Sequence, residues 1–146
     1  MSTPASTPSG LDPASFPYEA FIDGLEEAIY WHNAWYARGM RQLLLHSQPG
    51  EDLLARDAHL HCKLAGFFGV LPTPPGHEDL KAQIEELHEQ MHALMREAIL
   101  EVGSGNPIGA EMLDELEEAQ ASFFISLHGL LRKVMEDHCM VKLANG

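Results

Sequence analysis

The chain has 146 residues, a formal net charge of −13 and 45% hydrophobic residues. That length fits one domain with a sizeable core, and that apolar content is globular rather than disordered. With 22 acidic residues against 9 Lys and Arg, the surface repels nucleic acid and anionic lipid, so neither is expected as a partner.

Cys62 and Cys139 are the two cysteines. They make no disulfide framework and suit a reducing compartment. No run of about 18 apolar residues is present, so no membrane-spanning helix is expected. The N-terminus lacks the basic flank and apolar core of a signal peptide. A cytoplasmic protein is the expectation. The compositional oddity is nine histidines, several of them clustered.

Residues 1–17 are rich in Ser, Thr and Pro and read as a disordered tail ahead of a globular part over 18–146. The first predicted helix spans about 18–46. Its apolar stripe is Phe21, Leu25, Ile29, Tyr36, Met40 and Leu43/Leu44, with His32 inside it. Gly24 and Gly39 weaken that helix slightly. Ser47-Gln48-Pro49-Gly50 is a stop.

A second helix is predicted to run from near Glu51-Asp52 to about Phe68, its first acids suiting a helix N-terminus. Gly66 and Gly69 suggest a close approach or a bend. Residues 70–76, with three prolines, read as a loop. The third helix spans about 77–102, with Leu80, Ile84, Leu87, Met91, Leu94/Met95 and Ile99 facing inward. Gly103-Ser104-Gly105-Asn106-Pro107 ends it. The fourth spans about 110–142, with Leu116, Ala119, Phe123, Leu127 and Val134 on its inner face. No strand pattern and no internal repeat appear. Four helices with short connections predict an all-α, mostly antiparallel four-helix bundle.

The third helix carries Leu87-His88-Glu89-Gln90-Met91-His92. Positions i and i+4 share a helix face, so the two imidazoles stack one turn apart as a two-point grip for a transition metal. Bundle proteins build metal sites from inward side chains on facing helices. His32, Cys62, His88 and His92 all fall roughly 16–22 Å from their helix ends at about 1.5 Å per residue, so they could converge. Three imidazoles and a thiolate suit tetrahedral Zn²⁺, and thiolate ligation releases a proton. Taken singly, each has a plainer reading: His32 as a satisfied core histidine, Cys62 as a small buried hydrophobe, and His-x-x-x-His as a common helical spacing.

The segment from Tyr18 to Cys139 resembles the chemoreceptor zinc-binding (CZB) domain family of bacterial four-helix sensory domains. The family pattern starts with His-x-x-Trp, which stands here as His32-Asn33-Ala34-Trp35. A Cys-x-Leu/Phe-Gly-x-Trp motif follows, matched by Cys62-Lys63-Leu64-Ala65-Gly66-Phe67. The paired histidines come last, as His88 and His92. Two positions depart from the pattern. Ala65 stands where the family has Gly, with Gly66 one place late, and Phe67 stands where it has Trp.

The resemblance implies a Zn²⁺ site of His32, Cys62, His88 and His92. It implies regulation by zinc occupancy, or by oxidation of the zinc-bound cysteine by oxidants such as hypochlorous acid. It also implies a homodimer that signals to a partner such as a chemoreceptor or a diguanylate cyclase. No GGDEF signature and no chemoreceptor coiled coil follows, so the chain is either free-standing or a fragment of a larger protein.

Other residues near the motif have weaker readings. His59, three residues before Cys62, is either a solvated histidine or a supporting or alternate ligand. His61 also flanks the cysteine. Glu85 and Glu89 stand close to the paired histidines, as solvated carboxylates or orienting groups. His128 reads as core or surface, and Cys139 as no ligand.

Two rival readings remain. Glu85-Glu86-Leu87-His88 holds one Glu-x-x-His, but a di-iron or hemerythrin-like bundle needs a second such motif and bridging carboxylates on inner faces. A metal-free interaction bundle would make the histidines incidental. An enzyme is not expected. Four protein ligands close a zinc shell that catalysis needs open, and no nucleophile elbow or phosphate-binding loop is present.

Overall fold

The computed structural model describes residues 12–46, 51–56 and 58–145, and for residues 51 and 52 the backbone alone. The first eleven residues of the tail and the expected stop at 47–50 lie outside the described residues. Among the described residues the protein is all-α, with no strand. A 3-10 turn at Pro13–Ser15 leads into α1 (Tyr18–Leu45). Three short helices follow, α2 (Glu51–Leu54), α3 (Ala58–His61) and α4 (Lys63–Val70). Two long ones close the chain, α5 (Glu78–Gly103) and α6 (Ala110–Asn145).

Helices α1, α5 and α6 start and stop close to where the apolar spacing puts them. Each buries the stripe that periodicity picks out: Phe21 and Leu25 from α1, Ile84 and Met91 from α5, Leu116 and Phe123 from α6. Each such side chain contributes about 1.5–3 kcal/mol of transfer free energy when fully buried. Glu78 and Asp79 occupy the first turn of α5, where carboxylates offset the partial positive charge of the unpaired amides. Helix α5 packs along α6, and α1 packs on α4, α5 and α6.

Two local expectations change. Residues 12–17, assigned to the tail, are structured. Asp12 caps the 3-10 turn by accepting from the Ala14 amide. Phe16 is buried, edge-on to Tyr18 and against Phe21. A Ser/Thr/Pro-rich composition hides that single anchoring ring.

The second helix is also not continuous. It is interrupted after Leu54 and again at Cys62, whose φ −82° and ψ 169° are extended. Cys62 caps α4, its carbonyl accepting from the Gly66 amide at 3.1 Å. A one-residue break with neither proline nor glycine at it leaves no mark on hydrophobic spacing. The segment is tied down piecewise: Leu53 is buried, the Leu54 carbonyl accepts from Arg96 Nε of α5 at 2.9 Å, and Leu64 is buried.

Gly24 and Gly39 prove to be places of close approach. A Cβ at Gly24 would stand 2.7 Å from the Phe67 ring, and one at Gly39 would run into the Met95 side chain. Bare backbone there lets α4 and α5 pack directly against α1.

Candidate metal centre

The long helices bring His32, His88 and His92 together. Their donor atoms lie within 4.8 Å of one another, and all three residues are buried. His88 and His92 share one face of α5, as i and i+4 positions must, and their Nε2 atoms stand 3.1 Å apart. His32 enters from α1, its ring centroid 5.9 Å from that of His88 and 6.4 Å from that of His92.

Cys62 is half-buried, with Sγ 3.0 Å from His88 Nε2. It reaches His88 from the extended residue between α3 and α4, not from a position within a long helix. Three of the four residues singled out from the sequence, His32, His88 and His92, form one metal-capable group among the described residues; Cys62 stands outside that group, with its Sγ against His88 Nε2. A tetrahedral zinc shell with bonds of about 2.0–2.3 Å sets its donors roughly 3.3–3.7 Å apart. The two contacts at His88 Nε2, 3.0 and 3.1 Å, are within a few tenths of an ångström of that spacing, and the three histidines lie close enough together to bind a metal ion.

Aromatic rings hold the imidazoles. Trp35 is buried one turn after His32, with its centroid 4.1 Å from His92 and 5.2 Å from His32. Phe123 of α6 stands 4.4 Å from His32 and lies nearly parallel to His88 at 5.6 Å. Phe67 packs on Phe21 at 4.9 Å, so a ring is retained where the CZB pattern has Trp.

Two contributors were not legible in the sequence. One is Phe123 as a wall of the site rather than plain core. The other is Gln120, whose Oε1 lies 3.4 Å from His32 Nε2. With Nε2–H donating to that oxygen, Nδ1 of His32 keeps a lone pair, the arrangement by which outer partners set a ligand's tautomer. Gln120 lies one helical turn before Phe123, and that spacing is the only signal the sequence offered for it.

The electrostatics favour neutral imidazoles. Burial pushes His32 down to about 4, with the Gln120 hydrogen bond acting against it. Burial first, then the neighbouring imidazoles, push His92 to about 3 and His88 to about 2. At neutral pH all three therefore offer lone pairs. His92 Nδ1 is buried with no hydrogen-bond partner, a cost of about 1–3 kcal/mol for such a group.

Burial raises the Cys62 thiol above its ordinary range, while the amides of Ala65, Leu64 and Cys62 itself pull the other way. Those amides are the free donors at the start of α4, which stabilise a thiolate. Burial wins, so the residue is a thiol until something positive stands beside it.

A cleft of about 770 Å³ runs between α1 and α4, walled by Trp31, Trp35 and Phe67, and reaches both His32 and Cys62. A second cleft of about 510 Å³ is lined by His59 and His88, with Glu85 and Glu89 on its wall. No carboxylate joins the metal-capable group among the described residues, which leaves the di-iron reading without its bridging ligands. His128 stacks on Phe124 and is exposed, and Cys139 is exposed on α6.

A scan against family models, a search of curated proteins and a search of solved structures each return no match to this chain.

Proposed function

We propose that this chain is a zinc-binding regulatory domain of the CZB type. In this reading its helices form an antiparallel four-helix bundle, with the broken α2–α4 segment as the second member. The observation that carries the reading is the meeting of three buried histidines on α1 and α5 with a thiol 3.0 Å from one of them. The motif residues that resemble the CZB pattern are the same four. Zinc, when bound, cross-links the helices and stabilises the Cys62 thiolate.

The chain's own residues divide the work. Trp35 and Phe123 fix the imidazole planes, and Gln120 sets the hydrogen on His32. The amides at the start of α4 favour a charged Cys62. Loss of the Cys62 contact, through zinc release or oxidation of the sulfur, frees the start of α4 from α5. A segment of short helices that can re-dock is a two-state element suited to passing a signal. The receiver would be a signalling protein of the chemotaxis or cyclic-di-GMP type, and the domain itself would act as a cytoplasmic homodimer. It binds and reports, and it is no enzyme, because four protein donors leave no open position for a substrate.

Cobalt substitution tests the reading. Adding Co²⁺ to the wild-type protein is expected to give a thiolate-to-metal charge-transfer band in the near ultraviolet. Cys62→Ala should lack the band, and hypochlorite should abolish it in the wild type. Failure of the wild type to bind cobalt, or a band that survives Cys62→Ala, would sink the proposal.

A further inference from the structure

His59 is one imidazole more than a closed site needs; it stands outside the group formed by the donor atoms of His32, His88 and His92, with its ring close by. Its ring centroid lies 6.5 Å from that of His88 and 6.3 Å from that of His92. The corresponding distances for His32, a member of the group, are 5.9 and 6.4 Å. By this measure His59 stands as near the α5 pair as His32 does. It is half-buried and lines the same cleft as His88, whereas Cys62 lines the Trp-walled one.

His59 and Cys62 also share one turn of chain. The Cys62 thiol donates to the His59 carbonyl at 3.6 Å, and only the extended Cys62 separates α3 from α4. A small rotation of the four-residue α3 therefore moves the sulfur and the imidazole together. His92 turns its Nε2 toward His88 and leaves its buried Nδ1 without a hydrogen-bond partner.

We propose that His59 is a spare ligand for the ion held by His32, His88 and His92, taking the fourth position when Cys62 leaves it. This rests on the zinc reading above. While Cys62 is bound, a tetrahedral shell has no room for a fifth donor, and His59 stands by. When the thiolate is withdrawn, His59 keeps four protein donors on the ion, now all nitrogen. Loss of the sulfur then changes the ligand set and the position of α3 without emptying the site, so a signal from Cys62 differs from a signal of zinc depletion.

The experiment measures Co²⁺ and Zn²⁺ affinity by competition with a chromophoric chelator. The proteins are the wild type, His59→Ala, Cys62→Ala and the double variant. His59→Ala alone should change affinity by less than about threefold. In the Cys62→Ala background the same substitution should cost at least about tenfold, the scale on which metal sites respond to lost supporting groups. His59→Gln, which keeps bulk and polarity but gives up the ring nitrogens, should behave as His59→Ala does if the imidazole is the ligand.

Cobalt in Cys62→Ala should keep intense tetrahedral d–d bands without the charge-transfer band. Long-range ¹H–¹⁵N spectra of Cys62→Ala should show a His59 ring nitrogen moving to a metal-bound shift on adding zinc. In the wild type that resonance should stay put. Equal effects of His59→Ala in both backgrounds, or an unmoved His59 resonance in Cys62→Ala, would overturn the spare-ligand proposal and leave the zinc site standing. No metal binding by the wild type would overturn both.

Discussion

His88 and His92 stand on a helix of 26 residues, and His32 on one of 28, with all three rings buried. Cys62 stands between a helix of 4 residues and one of 8, half-buried and at the edge of a cleft. The first region is held by long apolar stripes and three large aromatic or amide partners. The second is held by a few anchors, such as Leu53, Leu64 and the Arg96 bond to Leu54. The contrast teaches that the histidines sit on a platform of long helices, while Cys62 sits on a segment of short ones with fewer anchors. The proposed sensing role would use that division, because a site rigid throughout would bind without reporting.

The comparison can be broken most heavily at Phe123, fully buried against His32 and His88. Phe123→Ala is predicted to cost about 3–5 kcal/mol in chemical denaturation of the metal-free protein. It should also weaken zinc binding, because the imidazole planes lose their wall. A cost below about 1 kcal/mol would contradict the platform.

Acid should break the platform selectively. His32, His92 and His88 are held at about 4, 3 and 2 in the fold, against about 6.5 in the unfolded chain. Below about 6.5 the unfolded state binds more protons than the native one, so stability falls with falling pH. Metal-free protein should therefore lose stability progressively from about pH 6.5 down toward 4 and below, and His32→Phe should flatten part of that slope. Unchanged stability between pH 7 and 5 would count against buried neutral imidazoles.

The boundary between the two regions can be tested at Gly24, where α1 meets Phe67. Gly24→Ala gains about 1 kcal/mol in helix propensity but meets the ring, with an overpacking cost of about 1–3 kcal/mol. A net loss of up to about 2 kcal/mol is expected by thermal unfolding, with faster hydrogen exchange confined to α4. A stabilised variant would show that α4 yields freely.

The smallest effect is expected away from both regions. His77 Nε2 lies 2.7 Å from Asp137 Oδ2, joining the start of α5 to α6 with the carboxylate 43% exposed. His77→Ala should cost about 1 kcal/mol or less, with zinc affinity unchanged.

The long helices were legible in the sequence because their stripes are long. Phe21 and Leu25, Ile84 and Met91, and Leu116 and Phe123 are spaced by one or two helical turns, and all go to the core. The paired His88 and His92 followed from the same periodicity. What periodicity could not show was the break at Cys62, since one extended residue between short helices leaves the apolar pattern nearly intact. Gln120 and the second role of Phe123 were hidden for another reason. They act through an α6 that is nearly ninety residues downstream of His32, a distance that only the fold closes. Gly24 and Gly39 looked like small penalties in one helix, and their reason lies in the side chains of two others.

The zinc content of tag-free protein, wild type beside the His88→Ala/His92→Ala variant, tests the central claim most directly. Elemental analysis is predicted to find about one zinc per wild-type chain, as a single closed tetrahedral site requires, and almost none in the variant. Zinc uptake by metal-free wild type at pH 7 should release about one proton, from Cys62, because the histidines are already neutral. Wild-type protein without zinc, iron in its place, or equal zinc in a folded variant would contradict the account.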